Sequence, residues 1–437
     1  MNTTVLLHAR PYARFPSALI LVPLLAPPKQ LTLPTEIWTQ IFEMMELGDR
    51  SSHLSAMLVC KNFKDIVQPL LYSHVSFSRY SSLESFCKRI HDADSRWDSL
   101  RRIPFSAPGR WVQSLDVSRL ELRKPTKHRL YEDPFDNTEI LALRVDSLLT
   151  NLFPLLPFLS VFSMNPTFSF SRRACISLTE RHGVGKLRSL RGIYYVPSHG
   201  MPRDPLLDLL QNCPNLEELE VIGPDIDPLE HDTTYLWYDG QVLPLDLPAM
   251  CLPKLQVLTL LACLQASPLM LSLLSTSLPS LTKLTITPFH DIPSSTSSLF
   301  IASHGETLRS LLLLSRRKSW PSHLYTSPTN ILQTSPNLRH LSLEVPLPAI
   351  ELTEEHSLEI LSIPKPSLDS WALISRLLPH LPSLKAVRIR DVKWLRKGMG
   401  PRAMETGVQG EMREWRRRLA RRGVRILDSE WKDADSV

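Results

Sequence analysis

The chain has 437 residues, 43% of them hydrophobic and 22% charged, which is enough apolar matter for a full core and excludes a wholly disordered chain. Its 37 prolines against 14 glycines reverse the usual order, so phosphate-cradling glycine loops are not the theme. A formal charge of +6, owed largely to a late arginine cluster, permits nucleic-acid binding without indicating it, and no nucleic acid is expected as a partner. The cysteines at 60, 87, 175, 213, 251 and 263 form no C-x-x-C pair, and no H-E-x-x-H occurs. No metal and no cofactor are therefore expected, and the thiols read as free and buried in a reducing compartment.

In chain order, Arg10 and Arg14 precede a short apolar run over residues 17–26 that Pro16, Pro23, Pro27 and Pro28 bracket or interrupt. Residues 1–30 read as a poorly ordered extension, with a targeting segment as the alternative. No later stretch reaches eighteen uninterrupted apolar residues, so no membrane association is expected. From Leu31 the character changes. Pro34 suits the turn before a helix and Thr35 can cap it. Ile37, Ile41, Met44 and Met45 then share one face, widened by Trp38 and Phe42. After Gly48 and Asp49, the run Leu54, Met57, Leu58, Val59, Phe63, Ile66, Val67, Leu70 and Leu71 continues helical periodicity past Pro69. Three short helices make too small a core to stand comfortably alone, so a partner or a following domain should cover the remainder.

These residues carry a resemblance. The run Leu33-Pro34-Thr35-Glu36-Ile37-Trp38, with Ile41-Phe42, Leu58-Val59-Cys60-Lys61-Asn62-Phe63 and Pro69-Leu70-Leu71-Tyr72, resembles an F-box. The resemblance implies docking onto the adaptor subunit of a cullin-RING ubiquitin ligase through a hydrophobic interface. Carried over position by position, it assigns Leu33, Pro34, Ile37, Ile41, Leu58, Val59, Cys60 and Phe63 to that interface. The competing reading makes some of these residues the core of the three-helix unit.

Self-similarity follows. The pattern L-x-x-L-x-L recurs at Leu216, Leu255, Leu281, Leu338, Leu358 and Leu384, with weaker copies from Val112, Leu159, Leu187 and Leu308. Successive starts from Leu159 differ by 28, 29, 39, 26, 27, 30, 20 and 26 residues, most of them the length of a leucine-rich repeat. The alternation at the end of each copy sends its last two apolar side chains to one face of a short strand. An apolar helical segment and a proline turn precede the strand, as at residues 206–210, 271–274 and 374–378. The asparagine that usually follows the strand is missing, so the repeats are irregular. The predicted fold is α/β: an N-terminal three-helix F-box over 31–75, an irregular leucine-rich-repeat-like solenoid over 76–392 with Leu219, Leu258, Leu284 and Leu341 pointing inward, and a C-terminal basic helix and cap over 393–437.

The residues between the inward positions form a row on the opposite face: Glu218, Glu220, Thr259, Lys283, Thr285, His340, Ser342, Ser362 and Arg388. That face reads either as a surface for a protein ligand or as ordinary solvated sheet. Two insertions interrupt the period. Residues 224–250 combine aspartates with Tyr235, Trp237 and Tyr238, the make-up of a recognition loop, and residues 315–330 are basic. The candidate target contacts are Glu218, Glu220, Tyr235, Trp237, Tyr238, Lys283, His340 and Arg388. Gly398, Gly400 and Ala403 outline a dinucleotide fingerprint with Asp428 downstream, but Pro401 removes an amide from the would-be phosphate turn and the following helix reads as a cap using Trp415 and Leu419. No enzyme motif is found. The expectation is a non-catalytic, fungal-type F-box substrate receptor of an SCF-type ligase, cytoplasmic and/or nuclear, with an unidentified protein target. The alternative is a leucine-rich-repeat scaffold that does not engage the ligase.

Overall fold

The computed structural model describes residues 33–46, 50–97, 105–106, 108–120, 134–197, 204–224, 250–263, 267–287, 296–314, 329–345, 347–394 and 407–433. The expected extension over 1–30, the loop bearing Tyr235, Trp237 and Tyr238, the basic loop over 315–328 and the glycine motif at 398–403 lie outside the described residues. The chain divides into two compact units, Met1–Gln68 and Pro69–Val437.

The first unit is helical: α1 Thr35–Glu46, α2 Arg50–Met57 and the start of α3 Lys61–Ser73. Thr35 is the first helical residue, not the cap, and the Pro34 carbonyl accepts the amides of Ile37 and Trp38 at 3.1 and 3.2 Å. Within α3, Pro69 lacks the N–H that would continue the hydrogen-bond ladder, and the division between units falls at that residue.

The second unit is a twelve-stranded parallel sheet whose strands pair in sequence order. They are β1 His74–Ser76, β2 Ser114–Asp116, β3 Val161–Ser163, β4 Ser189–Tyr194, β5 Glu218–Ile222, β6 Val257–Leu261, β7 Lys283–Ile286, β8 Ser310–Leu313, β9 His340–Ser342, β10 Ile360–Ile363, β11 Ala386–Ile389 and β12 Arg425–Leu427. Parallel neighbours need long crossovers, which the 20- to 39-residue spacing of the motif supplies. One column of side chains runs through the whole sheet in register: Val75, Leu115, Phe162, Leu190, Leu219, Leu258, Leu284, Leu311, Leu341, Leu361, Val387 and Ile426. All are buried, so the inward positions expected from the period-two alternation are inward. The first strand, β1, starts at His74, ahead of the expected boundary at 76, and β12 coincides with the strand-like run Val424-Arg425-Ile426-Leu427 in the C-terminal segment.

The crossover helices bury leucines in the same core, among them α4 Pro205–Gln211, α5 Pro268–Ser275 and α6 Leu368–Leu377. Asp204, Ser267 and Ser367 cap their first amides, and Pro205 and Pro268 occupy first-turn positions where no N–H is missed. Part of the proline excess is therefore helix-start chemistry. The C-terminal helix Gly407–Ala420 buries Met412, Trp415 and Leu419, as its expected capping role requires. Four cysteines are buried, whereas Cys60 and Cys251 are exposed, which corrects the expectation for those two. Among the described residues, no helix is long and apolar enough to cross a membrane and no group of side chains could hold a metal ion.

Candidate functional site

In the first unit the apolar surface of α1 splits into two sides. Phe42 is buried, and its ring lies 5.9 Å from Trp38 and 5.1 Å from Phe63, with Trp38 and Phe63 4.6 Å apart. The buried His53 ties α2 to α1, its Nε2 standing 2.9 Å from the Phe42 carbonyl. This aromatic cluster holds the three helices together, and Phe63, assigned from sequence to an interface, is half-buried inside it. Ile41 is half-buried as well.

The other assigned residues lie outside. Leu33, Pro34 and Ile37 are exposed at the start of α1. Leu58 and Val59 are 88% and 69% exposed in the turn after α2, where backbone bonds to the Ser55 and Ala56 carbonyls hold them. Covering Leu58 alone would be worth about 2 kcal/mol. Met44, Met45 and Leu54 are also exposed on this unit and were not singled out. Cys60 is exposed, and its Sγ accepts the Phe63 amide at 3.5 Å just before α3, the place where a serine hydroxyl commonly caps a helix. Its local role is to start α3, a function that its sequence position three residues before Phe63 could have revealed.

In the second unit, the face opposite the buried column carries the expected row. Glu218 is half-buried and accepts hydrogen bonds from the Ser189 hydroxyl at 3.1 Å and from the Arg191 guanidinium. Glu220 is half-buried and Lys283 exposed. At the other end the structure departs from the expectation. Residues 428–433 turn back over β9–β11, and Trp431 sets its ring 4.1 Å from the Arg388 guanidinium and 5.8 Å from the His340 ring. His340 and Arg388 therefore face the chain's own turn, and Ser342 and Ser362 beside them are fully buried.

The turn is built by Asp428. Its buried carboxylate accepts the amides of Glu430, Lys432 and Trp394 at 2.8, 2.9 and 3.1 Å, and Arg388 donates to the Ser429 carbonyl at 2.7 Å. Trp431 adopts φ +64, a conformation a bulky residue takes only when its surroundings compel it. His340 sits between the hydroxyls of Ser310 at 3.3 Å and Ser362 at 2.8 Å. Burial, followed by the charges of Arg388, Lys283 and Arg390, pushes its imidazole down to about 4, so it is neutral at physiological pH.

The helical segment defines the class to which comparison leads: residues 30–78 match the family model described as F-box-like. The chain matches no curated protein. Among solved structures, the crystal structure of a complex of Rad7 and Elc1 in yeast is a distant likeness, with 14% identity and a TM-score of 0.25 over 85% of this chain and 96% of that chain.

Proposed function

We propose that the protein is a substrate receptor of a cullin-RING, SCF-type ubiquitin ligase. The first unit docks on the adaptor subunit through Leu33, Pro34, Ile37, Leu58 and Val59, with Ile41, Cys60 and Phe63 supporting them. The second unit, read as an irregular leucine-rich-repeat solenoid, holds a protein target. Ubiquitin is transferred by other subunits, so this chain supplies proximity and no catalytic group or cofactor of its own. Its place of action is the cytoplasm and/or nucleus.

The observation that carries the reading is the exposure of Leu58 and Val59, and of Leu33 and Ile37, within the segment that matches an F-box-like family. So many exposed apolar side chains on so small a unit mark an interaction site. Glu218 and Glu220 on the open sheet face, with Tyr235, Trp237 and Tyr238 in the acidic insertion, are the proposed target contacts. Affinity purification of the tagged chain tests the reading. Recovery of adaptor and cullin supports it, whereas stoichiometric recovery of other partners alone would favour a scaffold that does not engage the ligase.

A further inference from the structure

The residue just before each strand locks one row to the next. The carbonyls of Gln113, Ser160, Arg188 and Glu217 each accept two amides from the following row, as Arg188 does from Glu217 and Glu218 at 2.7 and 3.0 Å. Side chains flanking these positions therefore stack along one edge of the sheet at the strand spacing of about 4.8 Å. Between the rows of β2 and β6 this stacking leaves an open surface cavity of about 570 Å³, lined among others by Arg110, Lys186, Arg188, Lys254 and Glu217. Four cations thus face one carboxylate, brought together from three separate stretches of the chain.

Two of the cations are held in place. The Lys186 ammonium stands 3.9 Å from the centre of the Phe158 ring, and Lys254 donates to Asn215 Oδ1 at 2.8 Å. Glu217 comes within 3.9 Å of Arg188 and neutralises only part of the charge. Farther along the same edge Glu359 lies between Lys385 at 2.7 Å and Arg339 at 3.9 Å, and Arg309 occupies the equivalent place before β8. Within the cavity the cations share the lining with Glu217, Phe158, Gln113 and Asn215, a mixed surface that suits a peptide better than a bare phosphate track does.

We propose that this cavity is a recognition site for an acidic segment of a protein partner, with two or more Asp or Glu side chains entering among Arg110, Lys186, Arg188 and Lys254. A volume of this size suits a few side chains, and pre-positioned cations lower the ordering cost of binding. The proposal rests on the second unit being the part that holds a target, and not on adaptor docking.

The test uses the full chain and a fluorescently labelled oligoglutamate peptide followed by anisotropy. Measurable binding that weakens as salt is raised is expected. The double change Arg188→Glu and Lys254→Glu should lower affinity at least about tenfold, since it reverses two charges at the site. Glu217→Gln should raise it a few-fold, a gain that a merely structural role would not produce. Arg188→Lys should retain binding, which separates lost charge from lost folding. Arg421→Glu, a single charge reversal on the exposed residue after the C-terminal helix, should alter binding less than about twofold. The proposal is overturned by absence of peptide binding, by equal losses in the double variant and Arg421→Glu, or by a single-stranded RNA oligonucleotide binding more tightly through the same residues. Adaptor recovery is measured on the same double variant: peptide binding lost with adaptor retained is the expected result, whereas failure to recover adaptor with the native chain overturns only the ligase reading.

Discussion

Leu58 and Leu284 are the same side chain in opposite circumstances. Leu58 leaves 88% of its surface to solvent in a turn of the helical unit, while Leu284 is fully buried between Leu258 and Leu311 in the sheet. The sheet satisfies its leucines internally, because each row supplies the neighbour that the next row needs. The helical unit buries only Phe42, Val67 and His53 among its described residues, packs Trp38 and Phe63 against Phe42, and leaves Leu33, Ile37, Met44, Met45, Leu54, Leu58 and Val59 exposed. The difference separates a part whose leucines are met within the chain from a part whose leucines face outward.

The largest expected effect lies on the stable side of that contrast. Leu284→Ala should cost about 2 to 5 kcal/mol through lost burial and an incompletely closed cavity, read as a lower denaturation midpoint. If the variant melts like the parent, the internal ladder does not carry the stability assigned to it. On the association side, the joint change of Leu33 and Pro34 to Ala should weaken adaptor binding by about 2 to 4 kcal/mol, tens- to about a thousandfold, while moving the melting temperature little. Equal losses of stability and binding would dissolve the distinction between the two regions.

The C-terminal turn gives a smaller effect within the sheet unit. Asp428→Ala leaves three backbone amides without their acceptor and should cost about 2 kcal/mol, with increased solvent exposure of Trp431 seen in its fluorescence. An unchanged Trp emission would mean that Asp428 does not hold the turn. The smallest effect is titration of His340. Its folded value of about 4 lies below an unfolded value of about 6.5, so the stabilisation is present above about pH 6.5 and is lost as pH falls toward 4. Allowing for partial solvent screening, this is worth about 2 kcal/mol. His340→Gln keeps an amide between Ser310 and Ser362 but cannot titrate, so its stability should fall less between pH 7 and pH 4 than that of the parent. Parallel curves for the two proteins would remove His340 as the source.

Much of this was legible from local spacing. The copies beginning at Leu216, Leu255 and Leu281 mark β5, β6 and β7 because alternation along a strand is a property of neighbouring residues. The strand β1 was harder to place, since no copy of the motif leads into its single buried apolar side chain, Val75. In the helical unit, one apolar run specified both the helices and their exposed surface, and only packing could assign Phe63 inward and Leu58 outward.

What the amino-acid order determined was whatever repeats at short range: the helix starts at Asp204 and Ser267, the inward leucines and the row of side chains opposite them. What the tertiary structure alone decided was which parts of that row stay open and where scattered cations meet. Trp431 reaches Arg388 across 43 positions, and Arg110 and Lys254 line one cavity with three strands between their rows. Neither juxtaposition leaves a local periodic trace, because both arise from stacking and chain return, where distance in space is set by the fold and not by separation along the chain.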